Sequence, residues 1–157
     1  MMELQVAKVL RCDCPRTDHA LLLLRDREGA WGVKVRVGAE VGRAIVAHLA
    51  GLTTVGTEVV DLLGAALRAL DVQAEAVTLA CASDALHAQL RLRTAHGALD
   101  VGVDASQAML TACRLQLPIF VGEPAGTRAA AHDVPSVYRP LLETLDLGSL
   151  DAPETTT

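Results

Sequence analysis

The spacing at which apolar residues recur changes several times along this chain, and these changes limit which folds the chain can adopt. Trp31, Val33, Val35 and Val37 alternate with small or charged residues, which is typical of a half-buried strand. Residues 19–25 contain a run of leucines suited to a buried strand, and a turn signal that ends in glycine separates the two segments. The sequence therefore predicts a β-hairpin at this point of the chain.

Three other segments have apolar residues at helical spacing. Residues 38–50 and 58–70 each place these residues on one face, and Thr57 is positioned as the N-cap of the second helix. Residues 105–117 form the third predicted helix, and Pro118 marks its end.

The remaining predicted strands complete an α+β pattern. Strands come first, followed by two helices, more strands, the third helix and a last strand. This order favours a mixed β-sheet with about three helices over a regular doubly wound fold. The additional strands cover residues 3–11, 72–81, 86–93, 99–103 and 118–121.

One domain is expected from a length of 157 residues. We expect this domain to span residues 1–126, followed by a C-terminal extension over 127–150 with a short helix within 135–147. Residues 151–157 have the composition of a disordered acidic tail.

The charge balance argues against a strong nucleic-acid binder. The chain has 14 Lys and Arg against 19 Asp and Glu, a net charge of −5. Four of the acids follow the last basic residue, Arg139, so the body of the protein is near neutral. One Trp, one Tyr and one Phe are too few for a surface that stacks bases. By charge, nucleic acid is a weaker expectation as a partner than a second copy of the chain.

No apolar run approaches the roughly 20 residues that a membrane-spanning helix needs. The N-terminus has neither the cationic start nor the apolar segment of a signal peptide. These observations predict a cytoplasmic protein without membrane contact, in which the cysteines are reduced.

Cys12 and Cys14 come closest to a metal-binding motif, with His19 close behind them. Zinc sites usually use ligand pairs with about two to four residues between them; here the spacing is one residue short and a second pair is missing. Two alternatives stay open. Cys81 or Cys113 could complete a metal site through folding, or the motif is a strand end with one buried and one exposed thiol.

Asp104 lies where a predicted strand meets the third helix. Its carboxylate can cap that helix, and Gln107, three residues later, completes the spacing of a capping box. Capping explains both residues without a catalytic role, and a catalytic carboxylate is the alternative.

A further candidate site is a basic face of the sheet. Lys34 and Arg36 project to one side of their strand, and Arg91 and Arg93 project to one side of theirs. If the two strands share a sheet, the four cations could lie together and bind phosphate groups. The alternative is ordinary solvated charge on strands. Neither a glycine-rich phosphate loop nor a nucleophile elbow occurs in the sequence.

The stretch 101–121 resembles the signature segment of the bifunctional nuclease (BFN) domain family. Residues 35–38 and 59–63 resemble, in the same order, the family's strand-and-glycine element and the start of its second helix. The similarity covers about residues 4–125. In the signature segment the matching positions are Ser106, Ala108, Ala112, Arg114 and the run Pro-Ile-Phe-Val at 118–121.

This resemblance implies a nuclease that hydrolyses the phosphodiester bonds of DNA or RNA with a divalent metal ion, Mg²⁺ or Mn²⁺. It implies that Asp61 and Asp104, each near a helix start, hold the metal and act in catalysis. Phosphate groups would be bound by Arg114, Arg91, Arg93 and Ser106.

Several polar positions of the family pattern are changed in this chain. Without a gap, Gly102 stands where the family has an Asp, and a two-residue gap would instead place Asp104 there. Val60 replaces the His of the second motif, and Gln107 replaces a second Asp. These replacements favour an alternative function, a non-catalytic homo-oligomeric binding or regulatory module, whereas the family name favours the nuclease.

Overall fold

The computed structural model describes residues 1–12, 18–29, 32–52, 58–82, 85–122 and 138–140. In these ranges, helices and strands follow one another in the expected order. The helices are α1 (Ala39–Leu49), α2 (Glu58–Ala69) and α3 (Ala105–Leu115). The strands are β1 (Met2–Cys12), β2 (His19–Arg25), β3 (Gly32–Gly38), β4 (Gln73–Ala82), β5 (Ala85–Thr94), β6 (Gly97–Val103), β7 (Ile119–Val121) and β8 (Tyr138–Pro140).

The strands form one sheet in the order β3-β2-β1-β7-β4-β5-β6, and β8 pairs with β1 beside this row. Neighbouring strands are antiparallel, except that β4 and β7 are parallel. The short strand β7 lies between β1 and β4 and joins the first three strands to β4, β5 and β6. The prediction of an α+β fold with a mixed sheet is confirmed.

One face of the sheet carries the main hydrophobic core. Val35 and Val37 of β3 and Val77 and Leu79 of β4 point to this face because side chains of a strand alternate in direction, and all four are buried. Met109 of α3 is fully buried in the same cluster. Burying one such side chain stabilises a fold by about 1.5–3 kcal/mol, so this layer fixes the position of α3. A smaller cluster consists of Leu10, Leu21 and Leu23.

Asp104 is the N-cap of α3, as the sequence spacing predicts. Its Oδ1 accepts hydrogen bonds from the backbone N–H groups of Ser106, at 2.9 Å, and Gln107, at 3.3 Å. The helix ends at Leu115, earlier than the predicted end at 117, because Gln116 adopts the left-handed conformation with φ of 55°.

The predicted helix within 135–147 is wrong at residues 138–140, which form β8. Strand β7 covers β1 at Met2–Leu4 only, so the backbone of Leu10–Cys12 is free to pair with β8. The rest of 135–147, the cap residue Thr57, the domain boundary at 126 and the tail lie outside the described residues.

Cys12 is disulfide-bonded, so the expectation of reduced thiols is wrong at this position. A disulfide sulfur is not the thiolate that a zinc site on the cysteine motif would need. Cys14, the other cysteine of that motif, lies outside the described residues. None of the helices in the described ranges has the length and apolar character needed to cross a membrane.

Candidate functional site

Asp61 and Arg114 form a bidentate ion pair between α2 and α3. Arg114 Nε donates to Asp61 Oδ1 at 2.8 Å, and Arg114 Nη2 donates to Oδ2 at 3.1 Å. Gly64, one turn further along α2, is buried, and a Cβ at this position would lie 3.1 Å from Leu115 Cδ2. Glycine at this position avoids a tight contact with the Leu115 side chain where the two helices meet.

The ion pair controls the electrostatics of this helix contact. The hydrogen bonds from Arg114 lower the pKa of Asp61, desolvation opposes them, and the charges of Arg114, Arg68 and His48 lower it further. The same hydrogen bonds raise the pKa of Arg114. Asp61 is therefore an ionised carboxylate at neutral pH, with both oxygens bound to a guanidinium.

Asp104 lies at the other end of α3 from the Asp61–Arg114 pair. Ten residues of helix, about 15 Å at the usual rise, separate the backbones of Asp104 and Arg114. Metal-binding carboxylate oxygens must lie about 2.0–2.6 Å from the same ion. The two predicted metal carboxylates are thus held by separate partners, Asp61 by Arg114 and Asp104 by the first turn of α3, and their binding of one shared Mg²⁺ or Mn²⁺ ion stays a prediction.

Within the part of the chain that the structure describes, no three His, Cys, Asp or Glu side chains are grouped so that they could hold a metal ion. Cys113 is a free thiol on α3, and burial raises its pKa to about 11. Its sulfur is therefore protonated at neutral pH and a poor nucleophile.

Ser106 joins the start of α3 to the end of β3. Its Oγ accepts a hydrogen bond from the backbone N–H of Gly38 at 3.2 Å. Gly38 is the last residue of β3 and the residue before α1. The hydroxyl predicted to bind phosphate therefore takes part in a contact that positions two helices.

Arg91 and Arg93 of β5 each bind a carboxylate of a neighbouring strand. Arg91 donates to Asp100 of β6 at 2.8 and 3.0 Å, and Arg93 pairs with Glu75 of β4. The hydrogen bonds from Arg91 lower the pKa of Asp100. We missed both acidic partners in the sequence, although the two-residue turn after Thr94 sets the register that places Asp100 opposite Arg91.

The predicted cluster of four cations is wrong. Lys34 and Arg36 lie on β3, at one end of the row of strands, and Arg91 and Arg93 lie on β5. Four strands separate β3 from β5, which corresponds to about 24 Å at the usual spacing between strands. The condition that the two strands share a sheet is met, but the strands between them keep their charges apart.

The family model of the bifunctional nuclease domain matches residues 22–132, which is more than half of the chain. The chain belongs to the bifunctional nuclease domain family. No curated protein matches the sequence. Its BFN signature segment runs from the end of β6 through α3 to β7, so the motif residues are spread along the whole length of a helix.

An open cleft of about 560 Å³ lies beside the start of this segment. His87, Gln89 and Asp104 provide its polar side chains. A Cβ at Gly102, which also lines the cleft, would meet nothing within 4 Å. Continued by one residue, the register of β5 and β6 puts His87 opposite Asp104. The pairing of the two strands brings His87 to this site.

Proposed function

We propose that this BFN domain acts as a homo-oligomeric binding module that does not hydrolyse nucleic acid. The observation that carries the proposal is that each of the two candidate metal carboxylates already has hydrogen-bond partners of its own. Asp61 is bound to Arg114 at one end of α3, and Asp104 caps the other end. Metal-dependent phosphodiester hydrolysis usually needs carboxylates that converge on one or two ions.

The candidate phosphate ligands support the same function. Arg114, Arg91 and Arg93 each bind an acidic side chain, so a phosphate group would have to displace a carboxylate from each of them. The net charge of −5 adds no general attraction for a polyanion. Nucleic acid is therefore a less suitable partner than protein.

Exposed apolar side chains support a protein partner. Monomeric proteins rarely leave several large apolar residues exposed on one element, because such patches associate. On α2, Val59 is 74% exposed and Leu62 is 70% exposed, and Leu63 on the same helix is also exposed. On β6, Leu99 and Val101 are exposed. A second copy of the chain would remove part of this surface from water.

The first experiment is a hydrolysis assay with the purified full chain. Fluorescent single- and double-stranded DNA and RNA are incubated with Mg²⁺, Mn²⁺ or EDTA. The matched control is the double variant Asp61→Ala, Asp104→Ala. We expect no cleavage above the buffer blank. EDTA-sensitive cleavage that the double variant loses would overturn the proposal. Sedimentation velocity on the same sample tests the oligomeric part, which a monomer at all concentrations would contradict.

A second candidate function is metal-dependent nucleic-acid hydrolysis in the cleft beside α3. Family membership favours it, together with the presence of His87 and Asp104 on one cleft wall. A bound Mg²⁺ or Mn²⁺ would supply an activated water there. A His87→Ala variant tests it: metal-dependent cleavage that this variant loses, and Asp61→Ala retains, would favour the cleft.

A further inference from the structure

Strand β6 is an edge of the sheet with little of the protection that edges usually have. Among the described strands, β6 pairs with β5 alone. Proteins usually protect such edges with lysine, proline or inward-pointing charge, because an open edge pairs with other chains. The edge strand at the other end of the row, β3, carries Lys34 and Arg36. The one charged residue of β6 is Asp100, and Arg91 neutralises it.

The hairpin of β5 and β6 determines which backbone groups point outward. Thr94 and Gly97 close a two-residue turn, so they form a hydrogen-bonded pair, and such pairs alternate with non-hydrogen-bonded ones along the strands. Counting from the turn, Ala98, Asp100 and Gly102 are in the non-hydrogen-bonded positions. Their N–H and C=O groups therefore point to the open edge.

These three residues are symmetric about Asp100. In an antiparallel pairing of two β6 strands centred on Asp100, Ala98 of one copy lies opposite Gly102 of the other. Each of the three residues would then exchange two hydrogen bonds with its partner. Shifting the register by two residues would leave one of the outward residues of each copy without a partner.

The side chains agree with this register. Leu99 would lie opposite Val101 of the second copy in a non-hydrogen-bonded pair, where side chains are closest. Leu99 is 52% exposed and Val101 is 36% exposed, so both have apolar surface to bury. Each Asp100 would face the other copy's Asp100, but each already binds its own Arg91.

We propose that a second copy of this chain pairs with β6 in the antiparallel register centred on Asp100, which gives one sheet through both subunits. This inference rests on the oligomeric part of the proposed function and specifies where the subunits meet. Seven residues at about 3.4 Å each give a contact about 24 Å long. Backbone pairing supplies the register, and the Leu99 and Val101 contacts supply apolar burial.

Sedimentation velocity and multi-angle light scattering of the full chain and two variants test the surface. Leu99→Lys places a charge in the proposed contact. The matched control Leu70→Lys changes an exposed leucine just after α2 instead. We expect twice the monomer mass for the wild type and for Leu70→Lys, and the monomer mass for Leu99→Lys. Circular dichroism checks that each variant is folded.

A cysteine cross-link tests the register. Cysteines in place of Asp100 would lie about 5.5 Å apart between Cα atoms, within the range for a disulfide, whereas cysteines in place of Ala98 would lie about 14 Å apart. We expect an oxidised dimer for Asp100→Cys and none for Ala98→Cys. The reverse result would overturn the register.

The outcomes separate this inference from the proposed function. A wild-type oligomer that Leu99→Lys leaves intact, with no Asp100→Cys cross-link, overturns the β6 interface but keeps the oligomeric module. A wild-type monomer at all concentrations overturns both. Nuclease activity in a protein that dimerises through β6 overturns the proposed lack of hydrolysis and keeps the interface.

Discussion

Replacing Asp104 with alanine separates a structural role from a catalytic one. This carboxylate begins α3, where its Oδ1 accepts two backbone hydrogen bonds, from Ser106 at 2.9 Å and from Gln107 at 3.3 Å. If capping is its function, Asp104→Ala destabilises the folded protein, whereas Asp104→Asn keeps the acceptor oxygen and most of the stability. If Asp104 instead binds a metal ion, Asp104→Asn stays folded but loses the stabilisation by added Mg²⁺ or Mn²⁺.

The size of the effect follows from the two contributions that Asp104 makes. Loss of an N-cap costs about 1 kcal/mol, with a range of about 0.5–2. Loss of a negative charge at the positive end of the helix dipole costs about 0.3–1 kcal/mol more. We therefore expect Asp104→Ala to lower the free energy of unfolding by about 1–2 kcal/mol. Asp104→Asn loses the charge alone and should cost about 0.3–1 kcal/mol.

Urea unfolding followed by circular dichroism measures these differences. For a chain of this size a loss of about 1–2 kcal/mol corresponds to a fall in Tm of roughly 2–8 °C, which differential scanning fluorimetry detects. Both experiments are run with EDTA and then with Mg²⁺ or Mn²⁺. We expect the order wild type, Asp104→Asn, Asp104→Ala in each condition.

Two results would refute this reasoning. If Asp104→Ala is as stable as the wild type, the cap contributes nothing. If Asp104→Asn is as unstable as Asp104→Ala, the acceptor oxygen is not what stabilises the helix. Metal-dependent stabilisation of the wild type that Asp104→Asn lacks would show that the carboxylate binds a cation in addition to capping.

Three further perturbations test other parts of the structure. Met109→Ala should lower the free energy of unfolding by about 2–5 kcal/mol, because the side chain is fully buried. Met109→Leu should lower it by less than about 1.5 kcal/mol, and urea unfolding measures both differences. The pKa of Asp61 is lowered in the folded protein, so its ion pair stabilises the fold at pH values above the unfolded pKa of ~4. This contribution is lost as the pH falls through the folded pKa of Asp61. The Tm difference between wild type and Arg114→Met should therefore vanish in acid. Cys113, with a pKa of about 11, should react slowly with iodoacetamide at neutral pH until urea exposes it, as mass spectrometry would detect.

The helices and strands could be predicted from the sequence because their signals are local. The leucine run predicts β2 at residues 19–25, where the structure has it, and the spacing of Asp104 and Gln107 predicts the cap of α3. These signals act within a few residues, so neighbouring side chains in the sequence are enough to find them.

The arrangement of the site could not be predicted in this way. Asp61 and Arg114 are 53 residues apart, and they meet because α2 packs against α3. The basic residues of β3 and those of β5 are kept apart by the strands that lie between them. The alternation of apolar residues along a strand does not specify which strands lie beside it. Only the pairing of Arg91 with Asp100, within a single hairpin, was accessible from local sequence.

The position of β7 has a consequence for how this chain folds during synthesis. This three-residue strand is the only link in the described sheet between β1 and β4, and it pairs Leu4 with Ile119. A nascent chain that has not yet released residues 119–121 from the ribosome holds two separate groups of strands with exposed edges. Domains with such long-range pairing fold slowly and expose aggregation-prone edges until it forms. The sheet of this protein therefore closes only after β7 has been made.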